Sequence, residues 1–137
     1  MRYKLLPHDE LRFVAYGKSL EEAIQNSAFA LFDTIANTKK LNSEKSFEIS
    51  LKEQSLEDLV WSLLSELLWI IDAKQVFLKE LKIEELKTNR EFEIKAKAFG
   101  CNALKELGKR DVKGVSKNQL EIKKNNNYWE IFVTLDI

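Results

Sequence analysis

The chain carries one cysteine, one histidine, one proline and four glycines among 137 residues, and each scarcity excludes something. A lone Cys101 closes no internal disulfide, so a reducing cytoplasm is the expected setting. One Cys and one His cannot build a structural zinc site within a single chain. Glycines stand singly at 17, 100, 108 and 114, so neither a phosphate-cradling P-loop nor a dinucleotide fingerprint can be assembled. No serine occupies a G-x-S-x-G elbow, and Cys101 has no histidine near it in sequence. An excess of one charge is missing too. Lys plus Arg and Asp plus Glu both number 22, whereas a protein that grips nucleic acid unaided shows a basic surplus. No strong direct nucleic-acid binding is expected, and any RNA would be held mainly by a partner. The opening MRYKLLPHDE has no apolar run of signal-peptide length. The most apolar stretch is interrupted by charges, well short of the roughly 20 apolar residues that span a bilayer. No membrane association is expected.

What is present is the profile of a folded chain: 45% hydrophobic and 32% charged residues, read as a single domain over 1–137 with one core. The most regular stretch is Leu56 to Asp72. Leu56, Leu59, Val60, Leu63, Leu64, Leu67, Leu68 and Ile71 recur at the spacing of three and four that fills one helix face. Ser55 and Asp58 form a capping box at its start. Trp61, Trp69 and Ile70 widen the apolar surface, so this helix is expected to be central and covered on more than one side. Ser19 and Glu22 open another helix, SLEEAIQNSAFALFDTIAN, with Leu20, Ala23, Ile24, Ser27, Leu31 and Ile35 on one face.

Strands are expected over Arg2–Leu6, Leu11–Gly17, Ser46–Lys52 and Leu78–Leu86, although FLKELKIEEL also reads as helix. Glu91–Ala98 alternates most strictly, and Lys87-Thr88-Asn89 before it suggests a hairpin. Gly100–Asp111 reads as an irregular connection with room for one helical turn. Val112–Val115 and Gln119–Lys123 read as two short strands or one bent strand. Asn125–Asn127 is a turn. In the closing segment Trp129, Ile131, Val133, Leu135 and Ile137 face one way. The fold class is α+β, a mostly antiparallel sheet system packed with two helices.

Two acidic spots carry the chemistry. Asp9 and Glu10 stand at the entrance of an early strand, and Asp136 is the residue before Ile137 and its free carboxylate. Hard cations take several oxygen ligands, and carboxylates from two chain segments can supply them. Carboxylates at strand ends are also ordinarily just solvated. His8, at the corner after Pro7, reads as a solvated turn residue.

The run Leu11–Gly17, followed by Lys18-Ser-Leu-Glu-Glu22 and Ala28-Phe-Ala-Leu-Phe32, resembles the archease family. Its members open with His-x-Ala-Asp, an alternating strand ending in Tyr-Gly, and a Lys-Thr-Leu-Glu-Glu helix. The likeness continues in Ser65-Glu-Leu-Leu-Trp-Ile-Ile-Asp72, Lys95-Ala-Lys-Ala-Phe-Gly100 and the terminal Leu135-Asp-Ile137, in family order. The resemblance implies a non-catalytic accessory protein of the RtcB-type tRNA-splicing RNA ligase, promoting its guanylylation and multiple turnover. A role modulating an RNA methyltransferase has also been attached to the family. The resemblance further implies a divalent cation, typically calcium with magnesium as the other candidate. It would be held by Glu10, Asp136 and Ile137, with Asp9 beside Glu10.

Three departures mark this chain as divergent. Pro7-His8-Asp9-Glu10 replaces His-x-Ala-Asp, so a longer Glu stands where the family has Asp. Ser62 replaces an Asp. Lys113-Gly-Val-Ser-Lys-Asn118 lacks the Tyr and His of the family's Lys-Ala-Val-Thr-Tyr-His. The alternative expectation is a general interaction or chaperone-like modulator of RNA-processing enzymes, such as a tRNA methyltransferase, whose acidic tip is only solvated surface. A small metal-dependent hydrolase fits poorly, because no histidine cluster or nucleophile–base pair is present.

Overall fold

A computed structural model of the chain describes residues 1–137. Eight strands and two helices follow one another: β1 Tyr3–Leu6, β2 Leu11–Gly17, α1 Leu20–Ile35, β3 Lys45–Glu53, α2 Leu56–Lys74, β4 Val76–Lys87, β5 Phe92–Asn102, β6 Gly114–Val115, β7 Glu121–Asn125 and β8 Tyr128–Asp136. Single 3-10 turns occupy Thr38–Lys40 and Lys105–Leu107. Every strand pair is antiparallel, as the α+β reading expects. One sheet runs β1-β2-β8, with β6 and β7 sharing the far edge of β8, and the other runs β3-β5-β4.

Both helices start where their serines predict. Ser19 Oγ accepts from Glu22 N–H and Ser55 Oγ from Asp58 N–H, each at 3.1 Å. Glu22 Oε1 answers by accepting from Lys18 N–H at 3.2 Å, one residue earlier than a standard capping box. Helix α1 stops at Ile35, short of the expected Asn37, because Ala36 turns extended and bridges to Gly108. Helix α2 ends on Gln75, a non-glycine residue in the left-handed region at φ 55°.

Strand β4 resolves the helix-or-strand ambiguity. Its apolar residues Leu78, Leu81, Ile83 and Leu86 are spaced three, two and three, which mimics a helix. Register shifts between Leu78 and Glu80 and between Ile83 and Glu85 absorb one residue each. All four side chains therefore stay on one face, opposite Gly100, Ala98, Ala96 and Ile94 of β5. Ala96 and Ala98 on the middle strand are small, and α2 packs on β3, β4 and β5.

The expectation that α2 is the central helix needs correction. Eleven of the sixteen residues of α1 are buried, against eight of nineteen in α2. Helix α1 lies between the sheets, touching β1, β2 and β8 on one side and β4 on the other. Alanines 23, 28 and 30 keep it thin enough for both. Trp69 was expected to be covered and is 56% exposed. It sits about 200° around the helix from Leu67, away from the buried stripe. Thirty-three buried residues form one contiguous core cluster drawn from both sheets and both helices. No helix is long and apolar enough to cross a membrane.

Candidate functional site

Strands β2 and β8 pair along their whole length, from Gly17 opposite Trp129 to Leu11 opposite Leu135. Leu11, Phe13 and Ala15 turn inward with Leu135, Val133 and Ile131, of which Phe13, Ala15 and the three β8 residues are buried. One step past the last pair stand Glu10 and Asp136, both exposed. Residues 126 positions apart in sequence thus meet at one corner because a single ladder runs out there. Ile137, which follows with its carboxylate, is 40% exposed and lies beyond the end of β8.

The far flank of Asp136 is β6. Gly114 pairs with Asp136, and Lys113 N–H donates to the Asp136 carbonyl at 2.7 Å. A side-chain carbon added at Gly114 would meet nothing within 4 Å, so this flank is open. On the near side, His8 accepts the Glu10 N–H on Nδ1 at 3.1 Å. His8 is exposed, as a turn residue should be, and the bond fixes the backbone that presents Glu10.

Sequence reasoning overlooked Arg12. The next pair inward on the Asp136 face is Arg12 with Thr134, and the guanidinium Nη1 donates to Thr134 Oγ1 at 3.1 Å. Its Nη2 stands 4.0 Å from Glu121 Oε1, and its side chain is only 17% exposed. The corner is therefore acidic at its lip and basic one pair deeper. Period-two alternation back from Glu10 was the signal that could have found Arg12. Thr134 and Val14 lie on the face opposite the inward-turned residues, yet they are 0% and 2% exposed. Larger neighbours on that face, Arg12, Tyr16 and Phe132, close over them.

Asp9, Glu10, Asp136 and the terminal carboxylate are all hard oxygen donors, the ligand type that calcium and magnesium take. No three His, Cys, Asp or Glu side chains gather as a metal cluster anywhere in the molecule. At this corner the end of the ladder leaves two carboxylate side chains, Glu10 and Asp136, one step beyond its last pair. Cys101 is buried and free.

A hollow of about 350 Å³ lies beside the segment that follows β5. Its floor is Ile35, Ile71 and Phe77, and its rim sets Lys105, Lys109 and Arg110 against Asp72 and Asp111. The Lys109 ammonium caps the α1 terminus by donating to the Asp33 carbonyl at 2.7 Å.

The model of the archease protein family (MTH1598/TM1083) matches residues 3–137. This chain belongs to the archease family. The protein archease of Methanosarcina barkeri is 37% identical over 140 residues, covering 99% of this chain and 96% of that protein. The archease of Thermococcus kodakarensis is 35% identical over 111 residues, covering 80% and 78%. Among solved structures, protein 1598 of Methanobacterium thermoautotrophicum superposes with a TM-score of 0.86 at 24% identity, over 99% of both chains. An archease of Thermotoga maritima, described as a possible chaperone, gives 0.64 at 13% identity, over 98% and 96%. These two likenesses show that the two-sheet, two-helix architecture is the archease fold.

Proposed function

We propose that this archease is a non-catalytic accessory protein of an RtcB-type tRNA-splicing RNA ligase, promoting the ligase's guanylylation and its repeated turnover. The observation that carries the reading is the β2–β8 register, which sets Glu10 beside Asp136 at an open corner next to the chain's own carboxylate. Glu10, Asp136 and the Ile137 carboxylate would hold a divalent cation, calcium or magnesium. When bound, such an ion supplies compact positive charge for phosphate oxygens. The chain's own part is to present the oxygens on a rigid ladder end. The His8 bond sets the Glu10 backbone, and the Lys113–Asp136 bond anchors the other strand.

The test is a ligation time course with the cognate ligase at limiting concentration, with and without this protein and with Asp136→Asn in parallel. The reading expects a reaction that stalls alone to turn over repeatedly with the wild type and to stall again with the variant. An unchanged course with the wild-type protein would overturn the partner assignment. Full activity of Asp136→Asn would overturn the acidic site alone. A second reading, a chaperone-like modulator of RNA-processing enzymes such as a tRNA methyltransferase, draws on Trp69, an aromatic left 56% exposed on the outer side of α2. It expects partner stabilisation that chelator leaves unchanged and Trp69→Ser removes.

A further inference from the structure

Three of the sheet edges are closed to further pairing. Strand β4 is bulged twice, and Gln25 Oε1 takes its Ile83 N–H at 3.0 Å. Strand β1 is four residues long, and the far edge of β8 is divided between a two-residue and a five-residue strand. Native proteins blunt edges with bulges, short strands and covers of this kind. Strand β3 has none of them. It runs nine residues without Pro or Gly, pairs β5 without a register shift, and makes no other backbone hydrogen bond over residues 45–53.

Its charges are arranged for itself. Lys45, Ile49 and Glu53 lie on one face at equal steps about the strand centre, with Phe47 and Leu51 between them. Lys45, Glu48 and Glu53 take part in none of the ion pairs of the molecule. We propose that β3 is a self-pairing edge, by which two copies of this chain join antiparallel about a two-fold axis through Ile49. The two three-stranded sheets then become one six-stranded sheet.

In that register Lys45 opposes Glu53 of the second copy, Phe47 opposes Leu51, and Ile49 meets its own copy. On the solvent face Glu48 opposes Ser50, with Lys52 of the second copy at the diagonal position that long side chains reach. Each contact occurs twice by symmetry. A shift of two residues one way sets Glu48 against Glu48, and the other way sets Phe47 against Glu53. A shift of one residue turns the core face to solvent. Ser62 Oγ donates to Glu53 Oε2 at 2.8 Å, which steadies the carboxylate and leaves Oε1 for the incoming lysine. The seam is small, so the association is weak and concentration-dependent.

Sedimentation velocity over a concentration series up to the solubility limit tests this, with circular dichroism to confirm that each variant is folded. The wild type is expected to shift from monomer to dimer. Lys45→Glu and Glu53→Lys should each weaken the dimer about tenfold, since each turns two attractions into two repulsions. The double swap should restore it. Hydrogen exchange should show the outward-facing amides of residues 46–52 slowing as concentration rises, with those of β4 unchanged. A wild type that stays monomeric throughout, or a dimer indifferent to the single swaps, overturns the proposal. Chelator leaves this association untouched, so its outcome is separate from that of the cation site.

Discussion

Arg2 and Glu80, 78 positions apart, meet through two hydrogen bonds of 2.7 and 3.1 Å between guanidinium and carboxylate. The pair ties the first residues of the chain to the edge of the other sheet. Arg2 also donates from Nε to Asn26 Oδ1 at 2.7 Å, and its guanidinium lies 3.8 Å above the Phe29 ring. Asn26 in turn donates to the Tyr16 carbonyl at 2.6 Å. One arginine therefore joins β1, α1 and β4.

The two partners should not be equal under mutation. Both are more than a third exposed, so solvent screens the ion pair and Glu80→Ala should cost under about 1 kcal/mol. Arg2→Ala additionally leaves the buried Asn26 carbonyl oxygen short of a donor, which raises the cost to about 1–3 kcal/mol. Urea unfolding of the two variants checks this. Equal losses would mean that the ion pair, and not the Asn26 bond, is what stabilises the junction.

Two glycines are needed for close approach and a third is not. A side-chain carbon on Gly100 would lie 2.0 Å from the Phe77 carbonyl oxygen, and one on Gly17 would lie 2.2 Å from the Ala23 nitrogen. Gly100→Ala and Gly17→Ala should each cost about 1–3 kcal/mol or more, as backbone must move. Gly114→Ala has open space and no positive φ, so it should stabilise by about 0.4–1 kcal/mol through the unfolded chain. Thermal denaturation of the three variants side by side would expose the contrast.

The legible parts of the sequence are those in which one local period acts alone. Residues 92–98 alternate without interruption, and the two serine caps lie beside the helices that they start. The less legible parts depend on a partner strand or a second sheet. The three-residue steps of Leu78, Leu81, Ile83 and Leu86 make sense only once two bulges against β5 are known. Thr134 is polar and alternates outward, yet it is 0% exposed beside Arg12 of the neighbouring strand. At the candidate site, the acidic residues could be named from their types and the family resemblance. Their meeting at one corner is a fact of register between β2 and β8, and Arg12 beside them follows from the same ladder.

Tyr3 should make stability fall at high pH. Its hydroxyl donates to Asp33 Oδ2 at 2.5 Å, and Thr38 Oγ1 donates to the other carboxylate oxygen at 2.9 Å. Burial, then the hydrogen bond, then the negative charge of Asp33 push the Tyr3 pKa above its ordinary 10.0. A phenol that keeps its proton better when folded contributes stability fully present below pH 10 and lost progressively as pH rises toward the raised value. Tyr3→Phe should cost about 1 kcal/mol at neutral pH and flatten that alkaline decline. An unchanged decline in the variant would assign it to other groups.

Arg12 and Asp136 should act on cation binding in opposite directions. Calcium that binds only the folded state raises the unfolding midpoint in proportion to the logarithm of its concentration over its dissociation constant. Asp136→Asn or Glu10→Gln removes a proposed donor and should abolish most of that rise, with little change in the melt without calcium because both residues are exposed. Arg12 sits one same-face pair from the corner, roughly 7 Å along the strands, where its positive charge opposes an incoming cation. Arg12→Gln should therefore tighten calcium binding several-fold, and most at low salt, where screening is weakest. Calorimetric titration at two salt concentrations separates the outcomes. If Arg12→Gln weakens binding instead, the guanidinium helps by holding Thr134 and the ladder end in place, and its charge is not the controlling factor.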